Sequence, residues 1–198
     1  MKYLFLLIIL ISLSCQGQTS PEGASKNQKQ KTPLTNYYIP LEKLADSLKL
    51  LKSKAMIKVC KSKYLLSIVV DSKVIKSYPV VLGFNPIDDK CKEGDGCTPE
   101  GVFKIKAMYP NKLWSKFIWF DYPNEASRKK FKESKKNKLI PENASIGGDV
   151  GIHGVPAGAD YAIDERQNWT LGCVSLKNKD INEIYKFAFV GMKVEIEK

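Results

Sequence analysis

The stretch GGDVGIHGVPAGADYAIDERQNWTLGCVSLKNKD, Gly147 to Asp180, holds the chain's only histidine, His153, and one of its five cysteines, Cys173. Val150 and Ile152 fall on alternate positions before the histidine, the period of a strand, and Gly154 closes it. Gly172 precedes the cysteine, and without a side chain it lets the backbone come close to a bound molecule. A free thiol titrates near about 8.5, and a neighbouring imidazolium lowers that value until the reactive thiolate is available near neutral pH. His153 and Cys173 are far apart in sequence, yet they have the ingredients of a thiolate–imidazole pair. Taken singly, each is as readily structural, since free cysteines are often simply buried.

Outward from this stretch the pattern is mostly that of strands. Pro40 precedes Leu41, Leu44, Leu48 and Leu51, a 3.6-period stripe that predicts a helix of about three turns. Met56 to Cys60, Tyr64 to Val70 and Val74 to Leu82 read as strands, with Asp71-Ser72-Lys73 as a hairpin turn. Gly83 to Glu100 is a polar loop too long to be only a connection, and such loops are functional or disordered. Gly101 to Met108 and Phe117 to Asp121 read as further strands, Asn124 to Lys136 as an exposed helix and Asp149 to Gly154 as a strand. Asn178 suits the N-cap of a helix carrying Ile181, Ile184, Tyr185 and Ala188. Gly191 leads into a last strand, Met192 to Ile196. The sum is a mainly β domain with a few peripheral helices.

Two separately placed motifs resemble the L,D-transpeptidase catalytic domain, the YkuD-like family. The first is Ile152-His153-Gly154 followed, across residues 154–169, by Thr170-x-Gly172-Cys173 and an aliphatic residue. The second runs from Gly83-Phe84-Asn85-Pro86 through Lys90 to Gly94-Asp95-Gly96-Cys97-Thr98-Pro99-Glu100-Gly101, similar to the family's G-x-x-P…GD…TPEG block. Trp169-Thr170-x-Gly172-Cys173 with Asn178-x-Asp180 is most similar to the YafK-like branch, and the likeness spans Ile57 to Glu197. The resemblance implies a β-sandwich or barrel-like sheet with histidine, loop and cysteine at one end.

It also implies a chemistry. Cys173 attacks an amide carbonyl to form a thioester, while His153 takes the thiol proton and returns it to the departing amine. The carbonyl of Gly154 orients the imidazole, and backbone N–H groups around Gly172 and Cys173 hold the oxyanion. Thr170, Trp169 and Asn168 are expected on the substrate side, with packing the alternative. Leu171 stands where many members carry His or Arg, Ser175 where Asn or Arg is frequent, and Cys97 where a basic residue is common. These departures bear on substrate choice. The implied substrate is a peptidoglycan stem peptide, with an amine of another stem, a protein lysine or water as acceptor. Transpeptidase and amidase or peptidase are thus two readings of one Cys–His pair. A non-catalytic wall-binding module is a third, although such a module would be marked by loss of the Cys or the His, and both are present. No cofactor or metal is called for. With one histidine and no G-x-S-x-G, a serine-hydrolase arrangement is excluded, and the cysteine spacing fits no common zinc pattern.

With 198 residues, 43% of them hydrophobic and 27% charged, the chain can bury one sizeable core. Its net charge of +11 includes a run at Arg128-Lys129-Lys130 through Lys135-Lys136 and Lys138. That run is a solvated basic face or an attraction to an anionic polymer or membrane. Phe131 alone does not make it a nucleic-acid surface, and no nucleic-acid partner is expected. Lys2 and the apolar run Leu4 to Leu13 are too short to span a bilayer but suit a signal peptide. The ending Leu13-Ser14-Cys15 resembles a lipoprotein cleavage site with Cys15 the first mature residue. Ser12 departs from the usual aliphatic residue, which leaves ordinary cleavage near Gly17 as the alternative. The expected organisation is a signal peptide over 1–14, a polar tether over 15–36, an N-terminal helix over 37–55 and the catalytic domain over 56–198. This places the protein in the cell envelope or periplasm, held to a membrane by lipid on Cys15. In an oxidising compartment Cys91 and Cys97 are candidates for a disulfide, though five intervening residues leave their Cα separation open. Cys60, in a strand-like run, reads as a buried thiol.

Overall fold

Strand β1 (Ala55–Cys60) buries alternate residues, Ala55, Ile57 and Val59, as its period-2 pattern requires. Asp71 and Ser72, both at positive φ, turn the chain from β2 (Leu65–Val70) into β3 (Lys73–Pro79), the geometry of a two-residue hairpin whose twist matches its strands. β4 (Gly101–Asn111) and β5 (Ser115–Phe120) form a second antiparallel pair. Two short strands follow, β6 (Gly151–His153) and β7 (Val174–Ser175), and β8 (Lys193–Glu197) is the last. The computed structural model describes residues 32–198, so the expected signal peptide over 1–14 and the tether up to residue 31 lie outside the described residues.

The eight strands make one mixed sheet in the order β3-β2-β1-β8-β4-β5-β6-β7. β8 inserts between β1 and β4, parallel to the first and antiparallel to the second, which joins the two hairpin systems across a shared core. Past β3 the chain carries on to Val81, which exchanges both backbone hydrogen bonds with Ser175, each 2.9 Å. The first and last strands of the sheet therefore meet, and the sheet curls towards closure. The expected mainly β, barrel-like architecture is what the structure has.

Among the described residues four α-helices lie around the sheet: α1 (Leu41–Ser47), α2 (Glu125–Lys136), α3 (Tyr161–Asp164) and α4 (Asn178–Phe187). α1 is shorter than its leucine stripe predicts. Leu41 and Leu44 are buried, but Leu48 and Leu51 are 54% and 57% exposed, and Lys49 takes a positive φ that ends the helix. Only the first turn has a partner surface, and a short helix without tertiary packing is not stable alone. α2 is capped by Asn124, whose side chain accepts from Ser127 N–H at 3.0 Å. α4 corrects its predicted cap: Asn178 is the first helical residue, and its N–H is met at 3.1 Å by the Asp160 carboxylate from the preceding loop. The described end of the expected tether is docked as well. Thr35 accepts from Ser77 N–H at 3.0 Å and Asn36 donates to Ile75 O at 2.9 Å, lining that segment along β3. α3 and β7 are too short for their periodicity to be seen in the sequence.

Candidate active site

β6 delivers His153 at its end, 2% exposed. Its Nδ1 lies 2.7 Å from the Gly154 carbonyl oxygen. A carbonyl can only accept, so Nδ1 carries the proton and Nε2 the lone pair. The same carbonyl also accepts the Ser175 hydroxyl at 3.1 Å. Around the imidazole stand three aromatic rings: Trp114 stacked with centroids 4.6 Å apart, Phe117 stacked at 5.7 Å and Trp169 edge-on at 5.4 Å. Burial in this apolar setting pushes the His153 pKa down to about 4, outweighing the upward pull of the Gly154 carbonyl. The imidazole is neutral at pH 7. Gly154 cannot be enlarged here, because a Cβ would stand 2.1 Å from Asn178 Oδ1 and 2.6 Å from Trp114 O.

Thr170 builds the turn that presents Cys173. Its hydroxyl accepts from Gly172 N–H at 3.2 Å and donates to Cys173 O at 2.7 Å. Gly172, at φ +141, sits where a Cβ would be 2.7 Å from Cys97 O; a side chain there would push away the 83–100 loop. Of the two N–H groups expected to face an oxyanion, Gly172's is thus engaged by Thr170, while Cys173's has no partner among the described residues. Thr170 is therefore a brace within the turn. The Asn168 amide is likewise committed to the scaffold, accepting from Leu82 N–H at 2.9 Å and donating to Tyr64 Oη at 3.1 Å. Trp169 caps the imidazole edge-on and packs on Val81, Val155 and Ile163. Leu171, 74% exposed, is the side chain of this turn that faces solvent.

β6 and β7 run parallel, with Ile152 opposite Val174 and His153 opposite Ser175. Cys173 lies just before β7, two residues from Ser175, the residue opposite His153. In this state the thiol does not bond the imidazole. It donates to Asp149 O at 3.6 Å and receives Gly151 N–H. Burial pushes the Cys173 thiol up to about 11, against the lowering effects of that N–H and of Lys90. Where the sequence leads one to expect a thiol lowered by a neighbouring imidazolium, the thiol is raised, and both groups are neutral at pH 7.

The 83–100 loop is ordered and docks on the Gly-Cys turn. Phe84 N–H donates to Thr170 O at 2.9 Å, and Thr98 Oγ1 accepts from Gly83 N–H at 3.1 Å. Asp95 gathers the loop tip by accepting from the N–H groups of Cys91, Lys92 and Cys97 and from Lys90 Nζ. Lys61, buried, reaches in from the β1–β2 turn to Glu100 at 2.8 Å and to the carbonyls of Asp88 and Thr98. Cys91 and Cys97 are free thiols, turned by the Asp95 cradle towards separate carbonyls, those of Asp89 and Asp95. Cys60 is half-exposed beside Lys198 O, not buried. Among the described residues no group of His, Cys, Asp or Glu side chains is arranged to hold a metal ion. Sequence reasoning missed Trp114 and Lys90 as parts of this site. Trp114 lies in a β4–β5 turn with no motif around it, and Lys90 was visible only as one letter of the loop block.

Over residues 54–196 the chain matches the YkuD, L,D-transpeptidase catalytic domain family, and it belongs to that family. Among solved structures it is similar to the helical cell shape determining protein Pgp2 from Campylobacter jejuni, at 22% identity and TM-score 0.53, covering 73% of this chain and 47% of that one. Bd1075 of Bdellovibrio bacteriovorus is similar at 19% identity and TM-score 0.50, covering 73% and 48%. The chain spans about half the length of these relatives, and at such identities the likeness is one of fold. No curated protein matches it.

Proposed function

We propose that the protein is an exported cysteine L,D-transpeptidase that acts on peptidoglycan stem peptides through a thioester at Cys173, with His153 as general base and acid. The observation that supports this reading is the parallel pairing of β6 with β7, which sets His153 opposite Ser175, two residues from Cys173, with Nδ1 held by Gly154 O and Nε2 left as the base. Membership of the family supports action on peptidoglycan.

Because both groups rest neutral, proton and nucleophile move together. As an amide carbonyl docks, the thiol turns from the Asp149 carbonyl, its proton passes to Nε2 and sulfur bonds to the carbonyl carbon. In this reading the unpartnered Cys173 N–H meets the oxyanion. Collapse breaks the C–N bond, and Nε2–H gives its proton to the departing amine, leaving the thioester for an acceptor amine or water. Incubation with purified disaccharide-tetrapeptides, read by mass, tests the reading. New dimers are expected, shortened stems identify water as acceptor, and Cys173→Ala is expected to yield neither. Turnover by Cys173→Ala would refute it. Export with lipid on Cys15 belongs to the same proposal, and intact mass of membrane-fraction protein checks it: a mature chain without lipid refutes that part.

A further inference from the structure

The turn Trp169-Thr170-Leu171-Gly172 contains no cation, yet one stands behind it. Lys90, its side chain 4% exposed, donates to Asp95 Oδ1 at 2.9 Å and to Lys92 O at 3.2 Å. An ammonium has three N–H donors, so one is left without an acceptor among the described residues. A Cβ on Gly172 would lie 3.7 Å from Lys90 Nζ; with glycine there, no side chain separates the ammonium from the backbone that carries the nucleophile. Asp95 pairs with this ammonium. Burial pushes its pKa up, but the N–H groups of Lys92, Cys97 and Cys91 and the Lys90 ammonium together hold it below the usual carboxylate range. The carboxylate thus stays ionised and paired, but it is the ammonium that faces the turn: Lys90 Nζ, and no Asp95 atom, is among the three nearest atoms to the Gly172 Cβ position.

We propose that Lys90, an interior ammonium carried in by the 83–100 loop, is an electrostatic positioning residue that favours the thiolate of Cys173 as its proton leaves for His153. The inference rests on the reading of Cys173 as nucleophile. The other groups facing the thiol are the exposed Asp149 carboxylate before β6, which opposes the thiolate, the Gly151 N–H, which favours it, the Tyr109 phenol on β4 and His153. Lys90 is the cation of this set that is fixed in place by burial. The loop block and the Gly-Cys turn therefore form one electrostatic unit.

Alkylation of Cys173 tests this without substrate. The full chain is treated with iodoacetamide over a range of alkaline pH, and the Cys173 peptide is followed by mass in wild type, Lys90→Gln and Lys90→Arg. An opposite charge nearby changes the acidity of a thiol by about tenfold or more. Lys90→Gln is therefore expected to alkylate about tenfold more slowly below the midpoint, with Lys90→Arg close to wild type. A folded Lys90→Gln with the wild-type profile, or a folded Lys90→Arg as slow as Lys90→Gln, overturns the proposal. A second arm needs no variant. In about 0.5 M salt, where surface charges are screened, Cys173 should prefer anionic iodoacetate over neutral iodoacetamide more than 2-mercaptoethanol does, and an equal or lower preference also overturns it. If Cys173→Ala still turned over muropeptides, the functional reading would fall while the measured charge on the thiol stood by itself.

Discussion

A single histidine makes its titration unusually direct to read. His153 is buried and its pKa is pushed from 6.5 down to about 4. In the unfolded chain it protonates first as pH falls, so between pH 6.5 and 4 the unfolded state holds more protons and folding stability rises with pH. A tenfold difference in acidity between the folded and unfolded chain is worth about 1.4 kcal/mol, and the pair of values gives a loss of about 3 kcal/mol on acidification across that window. Asp180 works in the opposite sense. Burial raises its carboxyl from 3.8 to about 6, so its contribution is lost as pH rises through the same window and regained on acidification. The wild-type curve alone is therefore nearly flat in this respect, and the difference from His153→Gln is the informative quantity. Urea unfolding at pH 7, 6, 5 and 4 should show that the variant gains about 3 kcal/mol on wild type as pH falls. NMR of the one imidazole should find a midpoint near the value of about 4 that its burial sets. A midpoint above 6, or a difference curve without slope, would refute the argument that the aromatic box keeps the imidazole neutral.

Thr170→Val leaves Gly172 N–H and Cys173 O without their hydroxyl partner, each a loss of about 1–3 kcal/mol. The melting temperature should fall by roughly 5–15 °C for a domain of this size, while Thr170→Ser stays near wild type; an unshifted Thr170→Val would show that the brace is not needed. Gly154→Ala must displace both Asn178 Oδ1 and Trp114 O, and overpacking of this kind costs about 1–3 kcal/mol. Turnover should fall with it as the carbonyl that orients the imidazole moves, which a parallel melt and muropeptide assay will show. His153→Ala should lower turnover by about 10²–10⁴-fold, read as product formed per unit time on the same substrate. Thiol counting on the unfolded, unreduced chain should find Cys60, Cys91, Cys97 and Cys173 all reactive, since all four are free; two fewer would restore the Cys91–Cys97 bridge.

Much of the frame was legible one segment at a time. Strands β1 to β5 and β8 and the helix α4 follow from the period of their apolar residues, and α2 from the charge pattern of an exposed helix. The residues of the pair were legible too, since His153 is the only histidine and Gly172-Cys173 sits in a motif. Tertiary structure decided what those residues experience. The parallel register of β6 and β7, set by two residues of β7 that no periodicity could reveal, brings His153 opposite Ser175, two residues from Cys173. Trp114 arrives from a hairpin some forty positions away to strip the imidazole of water, and Lys90 arrives from the 83–100 loop to stand behind Gly172. A sequence names the titratable groups, but their charge at pH 7 depends on burial and on neighbours brought in by long-range packing. That is why the residues alone point to a lowered thiol pKa and the folded chain raises it.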